Sequence, residues 1–171
     1  MQAKQTYPTY VFATVQRERF EQVVAELKKF SEIEFFAPVT GRYDLVLRLK
    51  TNLPEQVYNI VNKIRGIQGI WVTNTFLGLD GYVNGQKLDT QSAWAFSLLS
   101  VNKPLHEVLT KIKALPVLHD ASIVPGQYDI IMSLKAKNQE ELMRTIVEQV
   151  PKIEGIWMSE TLFAYKPYIK A

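Results

Sequence analysis

The sequence contains no cysteine among its 171 residues. That excludes a disulfide framework, a thiolate zinc site, an iron–sulfur cluster and a cysteine nucleophile. Histidine is nearly as scarce: only His106 and His119 occur, and neither has acids arranged around it at metal-ligand spacing. The eight glycines are scattered, so there is no phosphate-cradling loop, and no G-x-S-x-G elbow is present. Apolar runs are short, as around residues 45–47 and 93–96, whereas a membrane helix needs about 20 such residues. The opening MQAKQTYPTY lacks the apolar stretch of a secretory signal, and cytoplasmic residence is expected. A dominant charge is missing too. Twenty basic and 17 acidic residues leave +3, and the densest basic spots, Lys28 with Lys29 and Lys135 with Lys137, have acids nearby. A nucleic-acid binder concentrates Lys and Arg on one face, so a mixed solvated surface is expected. Nothing in this inventory suggests a catalytic residue, a metal or a cofactor.

What the chain does have is 47% hydrophobic and 22% charged residues, the balance of a packed protein. Its length suits one ordinary domain or two of about 80 residues each. It also repeats itself. Residues 39–50 (VTGRYDLVLRLK) and 124–135 (VPGQYDIIMSLK) share glycine, tyrosine, aspartate and a closing Leu-Lys at a shift of 85. Residues 67–75 (IQGIWVTNT) and 153–161 (IEGIWMSET) match at a shift of 86. The extra residue lies between Lys135 and Asn138, at a strand-to-helix junction where a duplicated module tolerates one.

Each copy is legible by period. Residues 10–15 and 94–99 are short β-like runs. Phe20, Val23, Val24, Leu27 and Phe30 fall at helical spacing, as do Leu105, Val108, Leu109, Ile112 and Leu115. Asn102 with Pro104 reads as a helix start, and Pro116 as a stop. Strands follow near 33–39 and 118–124, then at 44–50 and 129–135. A second helix carries Val57, Ile60, Val61 and Ile64, repeated as Met143, Ile146, Val147 and Val150. Asn52 with Glu55, and Asn138 with Glu141, read as N-x-x-E caps. A last strand opens at Trp71 and Trp157.

The expected fold class is therefore α+β. Two tandem ferredoxin-like (βαββαβ) units occupy 1–79 and 93–171, joined by a linker at 80–92 that turns at Asn84 and Gly85. The sheet faces away from the helices are not polar. Val46 shares that side with Arg48, Ile131 with Ser133, and the tryptophans Trp71 and Trp157 are expected to add large apolar groups. Such groups would each forfeit roughly 1.5–3 kcal/mol in water. The expected solution is sheets packed face to face, within one chain or between chains.

The G-x-Y-D repeat has two readings. Glycine supplies a tight turn, and Asp44 or Asp129 either satisfies turn N–H groups or binds a ligand's ammonium. Thr73, Thr75, Ser159 and Thr161 alternate along the last strands, and they either bond cross-strand neighbours or hold a small zwitterion.

Helix, strand ending V-x-G-x-Y-D, apolar strand, second helix, then I-x-G-I-x-x-(T/S)-x-T: this order resembles the effector-binding module of the leucine-responsive/AsnC (feast/famine) regulators. That module is often called the RAM domain, for regulation of amino acid metabolism. The resemblance covers residues 10–79 and 94–165. It implies dimers packed sheet to sheet, further assembly into homo-oligomers, and an amino acid or similar effector bound between dimers near the loop before the third strand. Carried over by motif, the effector site is Gly41, Tyr43 and Asp44 with Gly126, Tyr128 and Asp129. The hydroxyls of Thr73, Thr75, Ser159 and Thr161 are lesser candidates. The regulators carry a helix-turn-helix before this module. Here only about nine residues precede the first strand, too few for two helices and a turn. The expectation is a non-enzymatic, amino-acid-binding module of transcription regulation without direct nucleic-acid or membrane contact, acting through a small effector and through hetero-assembly with a full-length regulator. Arg42 against Gln127 and Thr40 against Pro125 make the two sites unequal. The alternative is a dimeric α+β barrel enzyme of the small-monooxygenase kind, with Trp71, Trp157 and His119 as candidates.

Overall fold

The computed structural model describes residues 7–170. The first unit runs β1 (Thr9–Val15), α1 (Phe20–Leu27), β2 (Ile33–Pro38), β3 (Leu45–Leu49), α2 (Pro54–Arg65) and β4 (Ile70–Phe76). A strand β5 (Asp80–Val83) leads into the second, with β6 (Ala93–Val101), α3 (Leu105–Ile112), β7 (Leu118–Ile123), β8 (Ile130–Ala136), α4 (Gln139–Arg144), β9 (Ile156–Phe163) and β10 (Tyr168–Ile169). Two five-stranded antiparallel sheets result, ordered β10-β2-β3-β1-β4 and β5-β7-β8-β6-β9. Setting aside the outermost β10 and β5, both have the ferredoxin-like strand order.

Cross-strand partners share a face, so the register sorts the side chains. On the helix side of the first sheet, Val11, Ala13, Leu45, Leu47 and Leu49 pack on Val23, Leu27, Val57, Ile60 and Ile64. Ala95, Leu99, Ile130, Met132 and Leu134 meet Val108, Leu109, Ile112 and Leu142 in the second. The opposite faces meet each other. Tyr10, Phe12, Phe35, Val46 and Phe76 close on Trp94, Phe96, Leu98, Ile131 and Leu162. Ring centroids lie 5.6 Å apart for Tyr10 and Phe96 and 5.1 Å apart for Phe35 and Trp94. The α+β pair of face-to-face sheets is thus formed within one chain.

The units also trade strands. β5 pairs with β7 of the second sheet, and β10 pairs with β2 of the first. Equivalent bonds open the two exchanges: the Leu79 amide donates to the Ile123 carbonyl at 2.9 Å, and Tyr165 donates to Pro38 at 2.8 Å. Residues 80–83, inside the stretch read as a linker, are therefore sheet.

Four local expectations need correction. Trp71 and Trp157 do not fill the shared layer; they are 71% and 62% exposed. Bulges at Thr14/Val15 and Ser100/Val101 interrupt the pairing there, and Phe76 and Leu162 at the far ends of β4 and β9 fill the layer instead. Asn138 caps α4 by accepting from the Glu141 amide at 2.9 Å. Asn52 caps nothing and donates to the Gly78 carbonyl, because Pro54 starts α2 one residue beyond Leu53. Asn102 is not a cap either, since Pro104 holds that place before α3. Met143 and Val147 are exposed, whereas Leu142 and Val150 are buried. A wide π-type turn over Thr145–Gln149 rotates the face there, and Pro151, which has no N–H to give, follows it.

Replacing Phe96, buried in the shared layer, by alanine is expected to cost about 3–5 kcal/mol, read as a lower urea midpoint. Because both sheets meet in that layer, far-UV circular dichroism and tryptophan fluorescence should fall together. Two separated transitions would show sheets that unfold independently.

Candidate functional site

The G-x-Y-D loops turn on glycines in the left-handed region, Gly41 at φ 117° and Gly126 at φ 112°. At Gly41 a Cβ would sit 2.6 Å from Leu162 of the other unit, so this glycine also permits a close approach. The aspartates that follow hold the ends of the first strands, opposite the bulges in β4 and β9. The Asp44 carboxylate accepts from the Val15 amide at 2.8 Å, and the Asp44 amide donates to the Ala13 carbonyl at 2.9 Å. Asp129 repeats both bonds with Val101 and Leu99, each at 2.9 Å. These two carboxylates thus accept from amides of the first strands and not from the N–H groups of their own turns.

Tyr43 and Tyr128 are buried. The Tyr43 phenol accepts from the Asn74 side-chain amide. The Tyr128 phenol donates to Glu160 at 2.9 Å and accepts from Arg42, which also reaches Glu160 at 3.0 Å. The Arg42 guanidinium lies 5.3 Å from the Tyr43 ring centre and 5.8 Å from that of Tyr128. The two loops thus converge on one cation. Burial and then the neighbouring Glu160 carboxylate raise the Tyr128 phenol above its ordinary pKa, so it stays a donor.

The hydroxyls lie elsewhere. Thr73 and Thr75 pair with Ala13 and Val11, and Ser159 and Thr161 pair with Leu99 and Ser97, all on the helix side. Thr161 makes a cross-strand bond of 2.8 Å to Ser97. The structure therefore separates the expected site residues into two sets on opposite faces of β4 and β9. The side chains that do reach the loops, Asn74 and Glu160, sit between those hydroxyls in T-N-T and S-E-T. The strand alternation was the signal for them.

A second polar cluster is buried between the sheets. Arg48 on β3 reaches Asp120 on β7, the Tyr10 phenol at 2.7 Å and Glu34 at 2.7 Å. Tyr10 donates to the other Asp120 oxygen at 3.0 Å. His119 Nδ1 lies 2.8 Å from Asp120, its Nε2 lies 3.0 Å from the Gln86 carbonyl, and its ring stacks edge-on to Trp94. Burial by itself would raise the Asp120 carboxyl; Arg48 and His119 overcome it and hold the group below the ordinary carboxylate range. Burial likewise pushes the Tyr10 phenol up. The three candidates of an enzyme reading are not gathered: Trp71 and Trp157 face outward on separate edge strands, and His119 is buried in this cluster. Among the described residues no group of three or more His, Asp or Glu is placed to hold a metal, and no helix is long and apolar enough to cross a membrane.

These elements can be set beside known proteins. Residues 9–88 match the family model of the Lrp/AsnC ligand binding domain. The HTH-type transcriptional regulator FL11 of Pyrococcus furiosus is 27% identical over 70 residues, 41% of this chain and 46% of that protein. An uncharacterized HTH-type transcriptional regulator of Pyrococcus abyssi is 35% identical over 57 residues, 33% of this chain and 36% of that protein. The chain spans less than half the length of these curated relatives. Among solved structures, the siroheme decarboxylase NirDL aligns with TM-score 0.67 over 96% of this chain and 73% of its own, at 12% identity. A chlorite dismutase variant from Candidatus Nitrospira defluvii gives 0.63 over 94% and 91%, also at 12% identity. Those two likenesses are of fold alone; they extend across both units.

Replacing Asp44 or Asp129 by alanine is expected to cost about 1–3 kcal/mol, since each leaves a strand amide without its charged acceptor, measured by chemical denaturation. Acid should expose the buried carboxylate. A group whose folded pKa is depressed supports the fold above its unfolded value, near pH 4, and that support is lost as pH falls through the folded value. Stability should therefore drop below about pH 4, and Asp120→Asn should flatten that slope. An unchanged slope would mean that this carboxylate does not sense folding.

Proposed function

We propose that the chain is a tandem effector-binding and assembly module of the Lrp/AsnC kind, non-enzymatic, with residues 93–171 a diverged second copy of the matched domain. The observation that carries this is the convergence of both G-x-Y-D loops, one from the matched unit and one from its counterpart, on Arg42. Support comes from the identical backbone roles of Asp44 and Asp129, which make the loops structural equals. Gly41, Arg42, Gly126 and Gln127 are exposed around the buried tyrosines. An amino acid or related metabolite is read there chiefly through its carboxylate, which a guanidinium recognises with paired bonds. Tyr43, Tyr128, Asp44 and Asp129 hold the loops in shape for it.

Assembly with further copies, or with a full-length regulator, uses β4 and β9. Both end their sheets, with no strand paired beyond them among the described residues, and both expose apolar side chains: Trp71 and Val72 on one, Trp157 and Met158 on the other. The mixed charge of the sequence favours contact with DNA through such a partner, and the module works in the cytoplasm.

Thermal-shift measurement with each of the twenty amino acids tests the reading. A ligand at a hundredfold excess over Kd adds about 2.7 kcal/mol of stability, a clear rise in melting temperature. Arg42→Ala should weaken binding by roughly tenfold or more, while Asp44→Ala, which loosens the loop, should lower the melting temperature and weaken binding less than Arg42→Ala does. If no amino acid shifts the parent protein, the effector reading fails.

A further inference from the structure

The two sheets offer each other the same apolar layer, but at one place their chemistry is unequal. Arg48 on β3 sits between Tyr10 and Phe35 in its sheet. Its counterpart by register is Ser133 on β8, between Phe96 and Asp120. Phe35 and Asp120 are therefore equivalent as well, and so are Tyr10 and Phe96. Across the interface the Arg48 guanidinium meets the Asp120 carboxylate. The equivalent positions in the opposite direction are Ser133 and Phe35, neither of which carries a charge, so the ion pair has no mirror. Charge runs one way, a cation from the first sheet and an anion from the second. Arg48 is 7% exposed and Asp120 0%, so both charges depend on partners rather than on water.

Consider what else could cover these faces. A duplicate of the first sheet would set each Arg48 against a Phe35, leaving two buried guanidinium groups with Glu34 of their own sheet but no carboxylate across the layer. A duplicate of the second would set each Asp120 against a Ser133, two buried carboxylates with His119 of their own sheet but without the guanidinium. Removing one partner of a buried ion pair is strongly destabilising, whereas replacing both by apolar groups is tolerated. A contact of this sort discriminates by penalising wrong partners more than by rewarding the right one.

We propose that the Arg48–Asp120 pair is the specificity element of this interface: each sheet accepts the other sheet of this same sequence, in its own chain or in a second copy, and rejects its own duplicate. The inference holds whether or not an effector binds at the tyrosine loops. It also closes the sheet faces to any symmetric partner, which leaves the outer edges for assembly.

Two full-length variants test it. R48D puts two carboxylates at the contact, and D120R puts two guanidinium groups there; each alone should melt roughly 10 °C or more below the parent. Co-expressed, the first sheet of the R48D chain suits the second sheet of the D120R chain, and the two unsubstituted sheets suit each other. A one-to-one complex of the two tagged chains should therefore appear by native mass spectrometry, beyond that given by two tagged parent chains, with melting restored toward the parent. The proposal is overturned if either variant alone melts with the parent, or if co-expression yields no such excess and no recovery. R48M/D120L, which removes both charges, should keep one cooperative transition; its loss would mean the pair is needed to fold at all, and would equally overturn a role confined to choosing the partner.

Discussion

The whole structure rests on two sheets that are apolar on both faces. One face of each is covered by its own helices, and the other has no cover except the matching face of the second unit. Tyr10, Phe12, Phe35 and Phe76 on one side and Trp94, Phe96, Leu98 and Leu162 on the other make that layer. Aromatic side chains carry the largest burial per residue and set the geometry of contact. The loops, the edge strands and the buried ion pair all take their positions from the closure of this layer. The reciprocal placement of β5 and β10 reinforces it, since each unit supplies an outer strand to the other's sheet.

Within that frame the G-x-Y-D motif divides its labour. Glycine lets the loop approach the opposite unit, and aspartate ties the loop to the end of the first strand. Tyrosine buries its ring while keeping its hydroxyl bonded. What remains available for recognition is the residue between glycine and tyrosine, and there the copies differ. Arg42 reaches into both corners, whereas Gln127 has no comparable charge. The difference at this one loop position leaves a single guanidinium beside both tyrosines.

Much of this was legible in the residues, and the omissions have physical causes. Periodicity located the helices and strands because burial on one face leaves a regular trace, and the repeat fixed the equivalence of the loops. The expectation for Trp71 and Trp157 failed because alternation does not say which side of an edge strand meets the helices; Thr73 and Ser159, two residues on, lie on the helix side. β5 and β10 escaped notice because they are short and partly polar; their hydrogen bonds come from strands far away in sequence. Arg48 looked like an ordinary charged residue on a half-apolar strand. Its burial became intelligible only when Asp120, 72 positions further on, proved to lie across the layer. Asn74 and Glu160 stand between the hydroxyl residues of β4 and β9, and alternation sends them to the opposite face, toward the loops.

Joining the halves through β5 and the segment after it has an effect beyond geometry. Two separate subunits meet at a frequency set by how much protein is present, and dilution parts them. A short tether, here residues 77–92, holds its ends at an effective local concentration in about the millimolar range, whatever the abundance of the chain. Pairing here is thus insulated from expression level, so only the outer associations, those between whole molecules, are left to respond to protein amount.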